Sequence, residues 1–470
     1  MPRFPNPGFW DRRLVDFFEP FADLLDVGVR AEDARHNARA YLTGLLLPGE
    51  RKSMEPMARR LPGRTSDQFQ NFITDSPWNP DLVQRRLVQQ MVRRIRSAQG
   101  VLSLDDTAFP KQGTASVGVG HQWCGALGKN ANCQVGVSLY YVRPNPSFHP
   151  DLTGYSLGIR LYLPKDWTEA PRRRTAARIP PYVEFAEKWR IGLALIDRAR
   201  ELHVPHRAVL ADADYGRSGE FRTALRERNE PYAVGIQLSV LKVMPLGADQ
   251  RPSRDRPLYP RELVRELPPS AWRTVRWGNG SQGPLTMNLA RVRVKVYRQG
   301  RSHGRPLEPT DERAWLVFER RSNETKAYLI WGFDTASLRS QAELFRARWP
   351  IEQGFQQMKE ELGLDHFEGR TWTGWHHHVT MVMLAHAFLM TARLEGVPAG
   401  HRLPTLPKVR RWFNGRVGLA LAQAASAAAE DNALRNRVLH RVFAISDLPV
   451  YWRRGRWWMP SLEEYARGTA

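Results

Sequence analysis

The residues best placed to do chemistry lie in FRARWPIEQGFQQMK, where Phe345, Arg348, Glu352 and Lys359 follow one another at intervals of three, four and seven residues. On an α-helix advancing about 100° per residue, these four side chains fall within roughly 60° of each other. One helical face then carries a carboxylate between two cations, an arrangement suited to a phosphate group held beside a metal ion. Taken alone, the same spacing also describes an amphipathic helix whose Arg, Glu and Lys pair on a solvated face. Further acidic groups come earlier in the chain. VLSLDDT sets Asp105 and Asp106 at the end of one apolar run, and AVLADADYG sets Asp212 and Asp214 at the end of another.

Together these segments resemble the insertion-sequence DDE transposases of the ribonuclease H-like superfamily. In that family the last motif reads Tyr-x2-Arg-x3-Glu-x6-Lys, and its Glu is the third acidic residue of a metal-dependent nuclease site; here Phe345 takes the place of the Tyr. The family shows an Asp-x-Thr after its first strand and an Asp-x-x-Tyr after its fourth. That pattern selects Asp105 and Asp212, with Asp106 and Asp214 as alternatives.

The resemblance implies that Asp105, Asp212 and Glu352 are both the catalytic residues and the metal ligands, with Asp105 bridging. Carboxylates clustered without a cation repel and raise one another's pKa. Two divalent ions about 3.5 to 4 Å apart activate the attacking water and stabilise the leaving 3′ oxygen. Mg²⁺ suits carboxylate oxygens and Mn²⁺ substitutes for it. Arg348 and Lys359 become phosphate-binding groups. Phe345 lacks the hydroxyl that the Tyr offers to a phosphate, although its ring still packs. Thr107, Lys111 and Gln134 are candidates to line the DNA path, with ordinary surface roles as the alternative.

The implied activity is cut-and-paste transposition: cleavage of double-stranded DNA at the element's terminal inverted repeats, then joining of the 3′ ends to target DNA. Family members work as dimers and generally excise through a hairpin. Two other functions fit the same residues. One is an inactive or co-opted terminal-repeat binding protein acting as a repressor; the other is a metal-dependent endonuclease without strand transfer.

The composition agrees with a polyanionic partner. Among 470 residues, 70 Lys and Arg outnumber 48 Asp and Glu, for a net charge of +22. The Arg clusters recur along the whole chain and do not form one basic tail. A hydrophobic content of 42% is enough for packed cores in two to four domains. Cys124 and Cys133, the only cysteines, make neither a zinc site nor a disulfide framework. MPRFPNPGFWDRR has no apolar signal core and no stretch approaches a membrane span. The expected location is therefore the bacterial cytoplasm, at the nucleoid when DNA is bound.

The elements that must position these residues follow from periodicity. Residues 1–97 read as an all-α N-terminal DNA-binding domain, in which SMEPMARRL and TSDQFQNFIT could form a helix-turn-helix placing Thr65 to Thr74 in a groove. A helical bundle without DNA contact is the alternative.

Residues 98–237 read as the first part of an α/β, mixed-sheet core, with several antiparallel strands followed by alternating helix and strand. That order is the ribonuclease H-like one, in which the first and fourth strands lie side by side. Residues 238–337 read as a β-rich insertion. Its Trp272, Trp277 and Trp315 favour sheet packing over stacking on an unpaired base. Residues 338–395 return to the last core helices, which Pro350 either starts or kinks. Residues 396–470 read as a helical C-terminal region with a Trp/Arg-rich end placed to meet a second subunit or DNA end.

Two further motifs fall away. GHQWCGALGKN lacks the spacing of a phosphate-binding loop. His376, His377 and His378 point in different directions on a helix, which suits a helix start or DNA contact better than a metal.

Overall fold

The computed structural model describes residues 12–25, 27, 31–61, 64–143, 153–280, 283–298, 307–396, 403–427, 451–453 and 456–458. Helices come first: α1 (Arg12–Phe18), α2 (Ala22–Leu25), α3 (Ala31–Leu46), α4 (Met54–Arg60), α5 (Ser66–Gln70) and α6 (Pro80–Arg94). Thr65 and Gln68 start α5 with a reciprocal capping box. Asn79 caps α6, and Pro80 occupies the first turn, where a missing N–H costs nothing.

A meander follows in β1 (Val101–Pro110), β2 (Gly120–Cys124), β3 (Lys129–Arg143) and β4 (Thr153–Leu161). Then come α7 (Lys165–Thr168), α8 (Pro171–Ala176), α9 (Lys188–Glu201), β5 (Ala208–Ala211), α10 (Ala213–Gly216), α11 (Gly219–Glu227) and β6 (Tyr232–Ile236). β3 lies antiparallel to both β1 and β4. β1, β5 and β6 run parallel, so VLSL and AVLA are direct neighbours, as predicted.

Residues 238–337 supply β7 (Lys242–Pro245), α12 (Pro260–Glu266), β8 (Arg273–Gly280), β9 (Gly283–Arg298), β10 (Glu308–Arg320) and β11 (Thr325–Trp331). These strands do not close on themselves. β11 pairs antiparallel with β6, so β10, β9 and β7 extend the core into one mixed sheet of eleven strands. The three tryptophans carry stacked arginines: Arg320 lies 3.8 Å from the Trp272 ring, Arg346 4.7 Å from Trp277 and Arg291 4.3 Å from Trp315. They pack the sheet, the role the sequence favoured.

The chain then forms α13 (Leu338–Arg346), α14 (Trp349–Glu360), α15 (Trp372–Glu395), α16 (Leu406–Ala427) and a small hairpin of β12 (Tyr451–Arg453) and β13 (Arg456–Trp458). Residues 428–450 and 459–470, most of the tail expected to meet a second subunit or DNA end, lie outside the described residues.

Every residue of α15 from Gly374 to Ala392 is buried. A helix apolar on all sides belongs inside a core, and here α15 joins the N-terminal helices to the sheet. Phe17 packs edge-on against Phe388, and Gln84 of α6 donates to Thr380 at 2.8 Å.

This burial corrects the reading of the three histidines as DNA contacts. His377 stacks on Trp78 at 3.7 Å and lies 2.8 Å from the carbonyls of Ile73 and Trp78. His378 meets the Tyr41 hydroxyl at 2.8 Å and the Gly363 carbonyl at 2.9 Å, and His376 binds the Trp372 carbonyl. Among the described residues, no helix is long and apolar enough to cross a membrane.

Candidate active site

The site begins with one register. Leu104 of β1 is level with Ala211 of β5, so Asp105, midway along β1, and Asp212, just past the end of β5, fall on the same rung, about 5 Å apart across the sheet. Successive residues of a strand face opposite ways, which separates Asp105 from Asp106. Asp105 meets Arg348, whose Nη1 lies 2.7 Å from Oδ2. Asp106 accepts from the Tyr215 hydroxyl and pairs with Lys188 Nζ at 2.8 Å.

Asp212 caps α10, its Oδ1 accepting from the N–H groups of Asp214 (3.0 Å) and Tyr215 (3.2 Å). The turn lies flat on β6 because two glycines permit it: a Cβ on Gly216 would sit 1.9 Å from the Gly235 carbonyl oxygen, and one on Gly235 2.8 Å from the Ala213 nitrogen. Asp214 is exposed on the following turn.

The strip from Phe345 to Lys359 is not one helical face. Pro350 has no N–H for the Arg346 carbonyl, so α13 ends at Arg346 and α14 starts at Trp349 with Pro350 in its first turn. Phe345 departs from the strip and stacks on Tyr328 of β11, with centroids 3.9 Å apart and planes 14° from parallel.

Arg348 stays. Its Nη2 donates to Glu352 Oε1 at 2.6 Å while Nη1 holds Asp105, so one guanidinium joins two of the three carboxylates. Lys359, seven residues beyond Glu352, donates to the Ala108 carbonyl at 2.8 Å over the ring of Phe109. α14 reaches this position because Gly354 lies against Tyr140, where a Cβ would come 2.9 Å from the ring.

Other sequence candidates lie elsewhere. Lys111 donates to the Phe367 carbonyl at 2.6 Å. Thr107 is buried, as is Gln134, which donates to the Val117 carbonyl. Neither lines a surface path, which corrects that reading. Sequence reasoning missed Lys188, which nothing marked out, and the joining role of Arg348. Tyr215, the Tyr of Asp-x-x-Tyr, carried a signal in its spacing from Asp212.

The electrostatics are strained. Burial pushes the Asp105 carboxyl up to about 7; Arg348 opposes this, while Asp212 and Asp106 add to it. Asp212 is also raised, first by burial, against the Tyr215 N–H that holds it down and with Asp214 adding to the rise. Burial works against the charge of Arg348, but Asp105 and then Glu352 raise its pKa overall.

Hard oxygen donors under this mutual repulsion fit a divalent cation in chemistry. In the present arrangement the guanidinium supplies the positive charge, and among the described residues no three acidic, His or Cys groups converge on one coordination centre.

The chain belongs to the DDE superfamily endonucleases, whose family model matches residues 20–284. A transposase DDE domain model matches residues 190–388. Among curated proteins the chain is similar to a probable transposase for insertion sequence element IS701 from Microchaete diplosiphon, 23% identical over 370 residues that cover 77% of this chain and 83% of that protein. Among solved structures, a piggyBac transposase synaptic complex with hairpin DNA matches 93% of this chain and 83% of that chain, at 10% identity and a TM-score of 0.41. The family agrees with the motif resemblance and makes the chain a nuclease-type enzyme of the transposase class.

Proposed function

We propose that this chain is a DNA transposase that cuts the ends of its own insertion sequence and joins the 3′ ends to target DNA, using Asp105, Asp212 and Glu352. The observation that carries this reading is the shared rung of Asp105 and Asp212, with Arg348 linking Asp105 to Glu352. The order β4-β3-β1-β5-β6, with only β3 opposed to the rest, supports a ribonuclease H-like core.

Asp105, Asp212 and Glu352 would hold two Mg²⁺ ions, or Mn²⁺ in their place. When bound, such ions activate water or a 3′ hydroxyl as nucleophile and stabilise the leaving 3′ oxygen. The rest belongs to the protein. The three carboxylates supply the negative charge, and the middle of β1 and the end of β5 fix two of them. Arg348, once released from Asp105 and Glu352, offers a bidentate guanidinium to the scissile phosphate. Lys359 at the end of β1 adds a second cation.

Strand transfer reuses the same groups, with the 3′ hydroxyl in the place of water. The partners are terminal-repeat and target DNA, brought together by a homodimer on the bacterial chromosome, and the pair α4 and α5 is a candidate end-recognition unit. An excision hairpin belongs to the same scheme.

The test is cleavage and joining of labelled element-end DNA with Mg²⁺ or Mn²⁺. Nicked ends joined to a target plasmid support the transposase. Nicked but unjoined ends indicate an endonuclease alone, and binding without nicking indicates a repressor.

A further inference from the structure

Among the described residues, the β2–β3 hairpin carries two of the few large apolar side chains left in solvent: Trp123 is 61% exposed and Leu127 49%. Scattered apolar residues on a surface are ordinary, but this pair shares one protruding hairpin whose residues 125–130 are all exposed.

The hairpin is also firmly held. Five register pairs join β2 to β3, Cys124 beside the turn and Cys133 at the base are both buried, and Gln122 donates to the Cys133 carbonyl. Its turn is closed by the Leu127 N–H on the Cys124 carbonyl, with Gly128 in the left-handed region at φ 63°. Trp123 is thus presented on a rigid arm, at little entropic cost to a partner.

Charge indicates which partner. Residues 107–143 contain no Asp or Glu, and Lys129 follows the turn directly. In a chain with 48 acidic residues, an apolar tip whose own flanking segment carries no acid suits a polyanion better than a second protein surface.

Position fits as well. Asp105 is level with Ser138 and Trp123 with Asn130, eight residues back along β3. At about 3.3 Å per residue the path along β3 is at most roughly 25 Å, and the hairpin curls to shorten it, with Cys133 Sγ 3.8 Å from the Trp123 carbonyl. Trp123 therefore lies on the C-terminal side of Asp105 along β1, and a span of at most roughly 25 Å corresponds to no more than about seven steps of duplex DNA.

We propose that the β2–β3 hairpin is a DNA wedge, in which Trp123 and Leu127 enter a groove of the bound duplex within about seven base pairs of the scissile bond and Lys129 meets the adjoining phosphate. The proposal rests on the DNA-cleaving reading. No acid–base or metal chemistry is asked of the hairpin.

The test uses the full chain and duplex oligonucleotides bearing the DNA that flanks its coding segment, with 2-aminopurine moved one position at a time from the end. Wild type should raise the fluorescence at one or two adjacent positions, reporting local unstacking. Trp123→Ala should abolish that rise and weaken binding about tenfold, and Trp123→Phe should keep most of both. Lys129→Ala should reduce the salt slope of binding by about one.

If wild type binds the duplex and Trp123→Ala binds it equally with an unchanged fluorescence pattern, the wedge is wrong while the transposase reading stands. The wedge is equally wrong if Trp123→Ala alters self-association and leaves DNA affinity intact, since the hairpin would then be a subunit contact. A wild type that binds no duplex at all overturns the DNA reading, and the wedge with it.

Discussion

Two parts of this molecule bury ionisable side chains, and they do so in opposite ways. Along α15, His376, His377 and His378 each find a carbonyl or hydroxyl partner, and burial lowers their pKa to about 3, about 4 and about 4. They are neutral and structural, with both ring nitrogens partnered in His377 and His378, while His376 keeps one buried nitrogen without a partner among the described residues. In the middle of β1 and just past the end of β5, two carboxylates share one rung, their pKa values are raised, and a single guanidinium links one of them to a third acid. The first region is settled in its own contacts. The second holds excess negative charge at a surface, which is how a site built to receive cations and phosphate should look.

The largest effect that separates them is on activity. Asp105→Ala, Asp212→Ala and Glu352→Ala should each lower cleavage of end DNA at least about a thousandfold with DNA binding kept; His377→Ala should leave cleavage per folded molecule near wild type. Equal losses in both regions would erase the distinction.

Stability should show the reverse. His377→Ala removes a stacked ring and two carbonyl partners and should cost about 3 kcal/mol in chemical denaturation. Glu352→Ala, on a half-exposed side chain, should cost less than about 1 kcal/mol.

The two regions also titrate in opposite senses. A histidine whose folded pKa is depressed contributes stability above its unfolded value of about 6.5, and that contribution is lost as pH falls towards about 4. A carboxyl whose folded pKa is raised to about 7 contributes stability at low pH, lost as pH rises through that value. Thermal midpoints measured without divalent ions should therefore fall on the acid side less steeply in His378→Gln, and on the neutral side less steeply in Asp105→Asn. The smallest effect concerns Phe345. Because its ring is held in a stack on Tyr328, Phe345→Tyr should change cleavage less than about threefold and stability by less than about 1 kcal/mol.

Much of the site was legible because apolar runs closed by acids are, even though β1 continues past Asp105 to Pro110. VLSL and AVLA are short apolar runs ended by acids, and one pairing of two such runs brings those acids together. The break between α13 and α14 was half legible: Pro350 announced an interruption, but whether Phe345 would stay on the strip depended on Tyr328, which arrives from a distant strand.

The histidines were misread because direction around a helix was considered without burial around it. From Trp372 to Ala392 the chain holds no Asp, Glu, Lys or Arg, and that was the available signal for a helix enclosed on all sides. Nothing local foretold that residues 238–337 would extend the core sheet, since strand pairing at long range leaves no periodicity in either partner.

The central claim is that Asp105, Asp212 and Glu352 form one cation-holding site. It is tested most directly by titrating Mn²⁺ into the full chain bound to end DNA and following the bound ion by electron paramagnetic resonance, for wild type and for Asp105→Asn, Asp212→Asn and Glu352→Gln. The account expects tight Mn²⁺ binding in wild type and its weakening in each of the three variants. Equal Mn²⁺ binding by wild type and all three would contradict it.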